Sequence, residues 1–305
     1  MSESVRAEID VLQEQLSHVL AGKREAIRHV VVAMLCGGHV LIEDLPGMGK
    51  TTLAQGLAAS FSTDFGRIQF TSDILPADII GVEIYDPSEK TFVFHPGPIF
   101  HHIVLADEIN RATPRAQSAL LEAMAEGQVS VERETRALPK PFFVIATQNP
   151  LEHRGTFPLP ESQLDRFFMR ISIGYPDREA ERKILMDEAG RIHIEKMDAS
   201  SSLQTLERAR LEARALPVSE ALMDYVLHLL EKSRDGEWLK HGISPRAGRD
   251  LLAAAKATAW LDGRAYVSAA DLQRVWLPCL AHRVESIGPA EVALSQLLEQ
   301  VPVPA

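Results

Sequence analysis

One run of residues in this 305-residue chain has the composition of a phosphate grip: Pro46-Gly47-Met48-Gly49-Lys50-Thr51-Thr52, placed after the apolar Val40-Leu41-Ile42 and before a helical pattern. Glycines let a backbone approach phosphate, successive amide N–H groups cradle the anion, and the helix start adds a favourable dipole. Lys50 would reach the outer phosphates, and the Thr51 hydroxyl would bind magnesium. The usual pattern opens on a glycine, and Asp44 stands in that place.

Farther along, the apolar run Ile103-Val104-Leu105-Ala106 ends in Asp107-Glu108. Two carboxylates at the end of a buried strand are costly without a cationic partner. A magnesium ion on the phosphate loop supplies one through Asp107, which leaves Glu108 as candidate base for the attacking water. A third apolar run, Phe142 to Ala146, leads to Thr147-Gln148-Asn149-Pro150, where the Asn149 amide can hold that water opposite Glu108. Asparagine before proline is also common in plain turns.

These residues need a sheet to hold them. Short apolar strands are expected at Val40–Ile42, Arg67–Phe70, Ile103–Ala106, Phe142–Ala146 and Met169–Ile173, with helices at Lys50–Ser60 and Arg115–Glu126 between them. Such alternation predicts an α/β fold, a parallel sheet covered on both faces by helices. Two helices should come first, one carrying Val5, Ile9, Leu12, Leu16, Val19 and Leu20 on one face and one over Lys23–Cys36. Ile79–Phe94 and Gln128–Pro139 break the alternation and read as hairpins projecting from the sheet. On the first of them Ile84, Tyr85, Phe92 and Phe94 place apolar groups on an acidic projection, Tyr85 nearest the Asp86-Pro87-Ser88 turn and the most exposed. Beyond Pro176 helix caps take over: Ser244-Pro245 opens a helix that closes before Gly263, and Ser268 with Asp271 forms a capping box. Residues 1–177 therefore form the nucleotide-binding α/β domain and 178–305 a helical domain, with Trp238, Trp260 and Trp276 as packing residues.

Composition narrows the function. With 32 basic and 42 acidic residues the formal net charge is -10, which argues against a general nucleic-acid or anionic-membrane binder. Between Asp73 and Lys90, across the first hairpin, Asp73, Asp78, Glu83, Asp86 and Glu89 stand against Lys90 alone, and the second hairpin mixes Glu132 and Glu134 with Arg133 and Arg136. No nucleic acid is expected. The longest apolar run, Val30–Cys36, is too short to span a bilayer, so no membrane insertion is expected. The first residues lack a basic segment followed by an apolar one, and a cytoplasmic location follows. Cys36 and Cys279 read as buried free thiols. The histidines, His101-His102 before a strand and His95 and His153 in expected loops, lack the spacing of zinc ligands.

Together the segments Leu45–Thr52, Asp107-Glu108-Ile109-Asn110-Arg111-Ala112, Gln117–Met124, Ala146–Pro150, Leu159–Phe167 and Ile243-Ser244-Pro245-Arg246-Ala247 resemble the MoxR family of AAA+ ATPases, in the family's order. That resemblance implies a P-loop NTPase core with a five-stranded parallel sheet and a helical lid, binding ATP and Mg2+ and working as a homo-oligomer, a hexameric ring with ATP between subunits. It makes Arg166 the arginine finger directed at the neighbouring subunit's nucleotide, with Arg170 as the alternative. Arg246 becomes the lid arginine that touches the phosphate end of ATP, with Arg249 a weaker alternative. A cation in a helix's first turn opposes the dipole, which a nearby phosphate would relieve. The implied work is chaperone-like remodelling, maturation or activation of a client protein complex, together with a partner carrying a von Willebrand factor A domain. A nucleic-acid motor and a non-hydrolysing ATP-binding scaffold are the competing readings.

Overall fold

The computed structural model describes residues 3–132, 134–150, 155–186, 194, 197 and 199–303. Helices α1 (Glu3–Val19) and α2 (Arg24–Leu35) lead into β1 (Val40–Glu43), followed by α3 (Lys50–Ser60), β2 (Phe65–Gln69) and a short α4 (Pro76–Ile80). β3 (Gly81–Asp86) and β4 (Thr91–Pro96) make the first hairpin, and β5 (Ile103–Asp107) returns to the sheet. After a 3-10 turn at Ile109–Arg111, α5 (Pro114–Glu126) leads to the second hairpin, β6 (Gln128–Val131) and β7 (Glu134–Ala137). β8 (Phe143–Gln148), α6 (Glu161–Leu164) and β9 (Met169–Ile171) complete the sheet region. The helical region holds α7 (Arg178–Leu185), α8 (Leu203–Arg214), α9 (Glu220–Lys232), α10 (Pro245–Leu261), α11 (Ala269–Leu280) and α12 (Ala290–Gln300).

Five strands pair in parallel in the order β2-β5-β8-β1-β9. They read as continuous apolar runs because both faces of the sheet are covered. Leu41, Val104, Ala106, Val144 and Ala146 face one core with α5, while Val40, Ile42, Ile103, Leu105, Phe143 and Ile145 face the other. That second core is continuous with the helical region through Trp260 and Trp276, whose ring N–H groups donate to Glu212 and to the Leu294 carbonyl. The strand order sets the carboxyl ends of β1, β8 and β5 side by side, leaving a crevice beyond them where a ligand can sit.

The hairpins are separate two-stranded sheets, stapled to each other by Arg136. Its guanidinium lies 4.0 Å above the Phe94 ring and 3.3 Å from the Glu83 carboxylate. Several expectations shift. The first hairpin starts at Gly81, not Ile79, because Ile79 and Ile80 end α4, a helix too short to show a period. His95 belongs to β4, and Phe92 at 66% exposure stands out farther than Tyr85 at 49%. Both faces of this ribbon meet solvent, so the alternation that marks a half-buried strand is missing. β9 ends at Ile171, β8 runs on to Gln148, and α11 continues past Pro278. Cys279 is buried and Cys36 partly so, both as free thiols. His153 and Arg133 lie outside the described residues. Among the described residues no helix is long and apolar enough to cross a membrane.

Candidate nucleotide site

The loop after β1 turns on Gly47 (φ 84°) and Gly49 (φ 87°), conformations that a side chain would strain. Gly49 caps α3, whose first turn carries Lys50, Thr51 and Thr52; Pro46 is exposed at the loop tip and Met48 is half-buried. Lys50 is 8% exposed and its ammonium donates to the Asp44 carbonyl at 2.8 Å. Burial lowers its pKa, opposed by the nearby carboxylates of Asp107, Asp44 and Glu108. One cation and three acids thus share this corner of the crevice.

Asp44 fills the place of the missing glycine and acts as an anchor. Its buried carboxylate accepts from the Ser172 hydroxyl at 2.7 Å, from the Gly174 N–H at 3.1 Å and from the Ile173 N–H. Its own N–H donates to the Gln148 carbonyl at 3.2 Å. The phosphate loop is therefore tied to the exits of β9 and β8.

Asp107 ends β5 with both carboxylate oxygens engaged, one by the Thr147 hydroxyl at 2.7 Å and one by Arg67 at 2.7 Å. Glu108 follows in a left-handed conformation (φ 59°, ψ 48°), unusual for a residue with a side chain, which takes it out of the strand direction. Its N–H donates to Thr147 at 2.8 Å, and its carboxylate accepts from Gln69 at 3.1 Å and pairs with Arg111 at 3.2 Å. Asn149 lies buried just past β8. Sequence reasoning missed Asp44, Arg67, Gln69, Arg111 and Thr147. The signal for two of them was the polar pair Arg67 and Gln69 alternating with Ile68 on β2, beside the acids of β5.

The donor set suits magnesium. The Asp107 carboxylate and Thr51 hydroxyl are hard oxygen ligands, and magnesium keeps several positions for water and substrate phosphates. Among the described residues no group of three or more His, Cys, Asp or Glu could hold a metal alone. A cavity of about 310 Å³ adjoins the loop, lined by Glu25, His29, Glu43, Arg170, Ser172 and Pro278 among others.

Arg166, expected to reach the neighbouring subunit's nucleotide, and Arg246, expected at the phosphate end of ATP, both lie away from Lys50. β9 runs parallel to β1, so its exit at Ser172–Gly174 meets the phosphate loop while its entry lies at the opposite end of the strands, where Phe168 N–H donates to the His39 carbonyl. Arg166 sits at that entry and donates to the Leu121 carbonyl of α5 at 2.8 Å. Arg246, in the first turn of α10, is paired with Asp165 at 3.3 Å at the same end. Neither stands beside Lys50 of its own chain. Arg170 is held by Glu43 and Glu291, and Arg249 lies 3.5 Å from Asp250.

Residues 39–169 match the family model described as "ATPase family associated with various cellular activities (AAA)", and residues 231–300 match the AAA lid domain. The chain is 41% identical to the uncharacterized protein YeaC of Bacillus subtilis over 95% of this chain and 93% of that protein. It is 37% identical to the chaperone MoxR1 of Mycobacterium tuberculosis over 99% of this chain and 85% of the relative. A solved structure of a candidate ATPase from Cytophaga hutchinsonii superposes with a TM-score of 0.90 at 34% identity, covering 99% of this chain and 96% of that one.

Proposed function

Because the chain belongs to the MoxR family of AAA+ ATPases, we propose that it hydrolyses ATP with magnesium in a hexameric ring of its own copies and uses the cycle to remodel, mature or activate a client protein complex. The observation that carries this reading is the buried Lys50 ammonium, set in a positive-φ glycine loop beside Asp107 and Glu108. The loop from Pro46 to Thr52 wraps the phosphates with its amides, and Lys50 takes the outer ones. Thr51 and Asp107 hold magnesium, which when bound neutralises charge on those phosphates. Glu108, already aimed out of the strand, takes the proton of the attacking water, and Asn149 at the tip of β8 holds that water. The cavity at Glu43 and Ser172 receives the base and sugar.

Arg166 and Arg246 serve the next subunit's nucleotide. Their place at the sheet end remote from their own Lys50 supports action on a neighbouring copy's phosphate. Charge building on the transferred phosphoryl group then meets cations supplied by that neighbour. A partner carrying a von Willebrand factor A domain completes the proposed assembly.

The test is an ATPase assay with magnesium alongside a nucleotide-binding titration. Lys50→Ala is expected to abolish tight ATP binding. Glu108→Gln should bind ATP and lose turnover; parental turnover in that variant removes the assigned base. The Glu108→Gln protein with ATP bound is also the bait for recovering the client and partner from cells.

A further inference from the structure

One carboxylate ties Arg246 to the segment that carries Arg166. Asp165 directly precedes Arg166 in the chain, and its oxygens lie 3.3 Å from Arg246 Nη1 and 3.6 Å from Arg283 Nε. Arg283 is a buried cation, its side chain 2% exposed. It donates to the Phe167 carbonyl through Nε at 3.2 Å and Nη2 at 2.7 Å, and to Asp250 of α10 through Nη1 at 2.9 Å. His282 Nε2 lies 2.8 Å from the same carbonyl. Both neighbours of Arg166 in the sequence, Asp165 and Phe167, are thus gripped from the helical region.

The two grips differ in strength. Removing one member of a buried, hydrogen-bonded pair shifts an equilibrium by a hundredfold or more. The Arg246 side chain is 54% exposed, and a pair of that kind shifts one by at most about fivefold. Arg283 therefore fixes Asp250 and the Phe167 carbonyl and lies 3.6 Å from Asp165, whose carboxylate in turn orients a guanidinium that stays half-exposed.

We propose that Asp165 is a positioning residue that holds Arg246 against the segment carrying Arg166, so that the lid and the finger segment offer their two cations to the neighbouring subunit together. The proposal rests on the reading that Arg246 acts on the next subunit's nucleotide. A cation free to swing away from its target loses rate through misplacement. Asp165 reduces that loss, by up to about fivefold, by holding Nη1 while more than half of the side chain stays exposed.

The experiment is a double-mutant cycle on the full chain, read as magnesium-ATP hydrolysis in the assembled state and as binding of a fluorescent ATP analogue. Asp165→Asn, which keeps the side chain's size, is expected to slow hydrolysis by about twofold to fivefold. It should change nothing further in an Arg246→Ala background, and Asp165→Glu should restore most of the rate. Analogue binding should stay within about twofold of the parent in the Asp165 variants, since Asp165 itself touches no nucleotide. Urea unfolding of Asp165→Asn checks that the Arg283 anchor persists. Equal slowing by Asp165→Asn in the parental and Arg246→Ala backgrounds would falsify the proposal and mark Asp165 as structural. A slow Arg246→Ala beside a parent-rate Asp165→Asn overturns the proposal alone. An inert Arg246→Ala overturns it together with the reading beneath it.

Discussion

Asp44 illustrates how far a single departure from a pattern can be understood. A glycine is usual at the start of a phosphate loop for its freedom, yet here an acid serves because its carboxylate binds the exit of β9 through three donors. Removing it would leave buried N–H groups without a partner, which costs about 1–3 kcal/mol for each group. Asp44→Ala is therefore expected to lower unfolding free energy by about 2–4 kcal/mol and to weaken ATP binding, although Lys50 binds only the Asp44 backbone. Urea unfolding with and without ATP reads both effects, and parental stability would refute the anchor. The Glu108 backbone makes the complementary point. Its left-handed φ is held by Thr147 and by the 3-10 turn that follows, so the strain sits where the proposed base leaves the strand.

At the scale of elements, the hairpins are coupled to the acids by short connections. β2 carries Gln69, bonded to Glu108, and runs through α4 into β3; α5 starts just after Arg111, bonded to Glu108, and runs into β6. Arg136 joins the far ends of both routes. Phe94 is packed between Arg136 and Phe100, whereas Tyr85 and Phe92 touch only edge-to-face at 5.4 Å and stand exposed at the ribbon tip. An acidic ribbon with an aromatic tip suits a protein surface better than a phosphate backbone. Tyr85→Ala and Phe92→Ala should leave basal ATPase activity and assembly within about twofold of the parent, and weaken coupling to the client. Stimulation of ATP hydrolysis by the captured client measures this. DNA at physiological salt should neither bind tightly nor stimulate hydrolysis; tight, salt-sensitive binding would restore the motor reading.

The whole molecule registers acid through two buried histidines. His39 accepts from the Val144 N–H through Nδ1 and donates from Nε2 to the Met124 carbonyl, while His282 contacts the Phe167 carbonyl. Burial pushes His39 down to about 4 and His282 down to about 3, both below the usual value of 6.5. Between those values the unfolded chain binds protons that the folded chain refuses, so stability is full above pH 6.5 and falls as pH drops toward 4. Each histidine contributes a slope of up to about 1.4 kcal/mol per pH unit in that window. The urea midpoint is expected to drop clearly between pH 7 and pH 5, and a flat profile would contradict the assignment. Assembly has its own test. Arg166→Ala should lower hydrolysis by about 10³-fold with little change in nucleotide affinity. Mixing it with Lys50→Ala should return part of the activity, because some mixed sites then pair an intact loop with an intact finger. No recovery in mixtures that exchange subunits would exclude action between copies.

The parallel sheet, both projections and the helical end were legible because each rests on local pattern: apolar runs of strand length, glycines at forced turns, and Ser244-Pro245 at a helix start. The phosphate-loop residues and the acids after Ala106 were legible for the same reason, since a strand end followed by a fixed run of residue types is a local object. Where β9 enters and leaves the sheet is not local. That choice carries Asp44 to Ser172 and moves Arg166 and Arg246 to the end away from Lys50, while the parallel pairing of β2 with β5 sets Arg67 and Gln69 against Asp107 and Glu108. Residues so far apart in the chain meet only because parallel pairing fixes which strand ends adjoin, and burial of both sheet faces fixes the order. Local composition names the residues of the loop and of the strand ends; the packing of distant segments decides which of them adjoin and which lie apart.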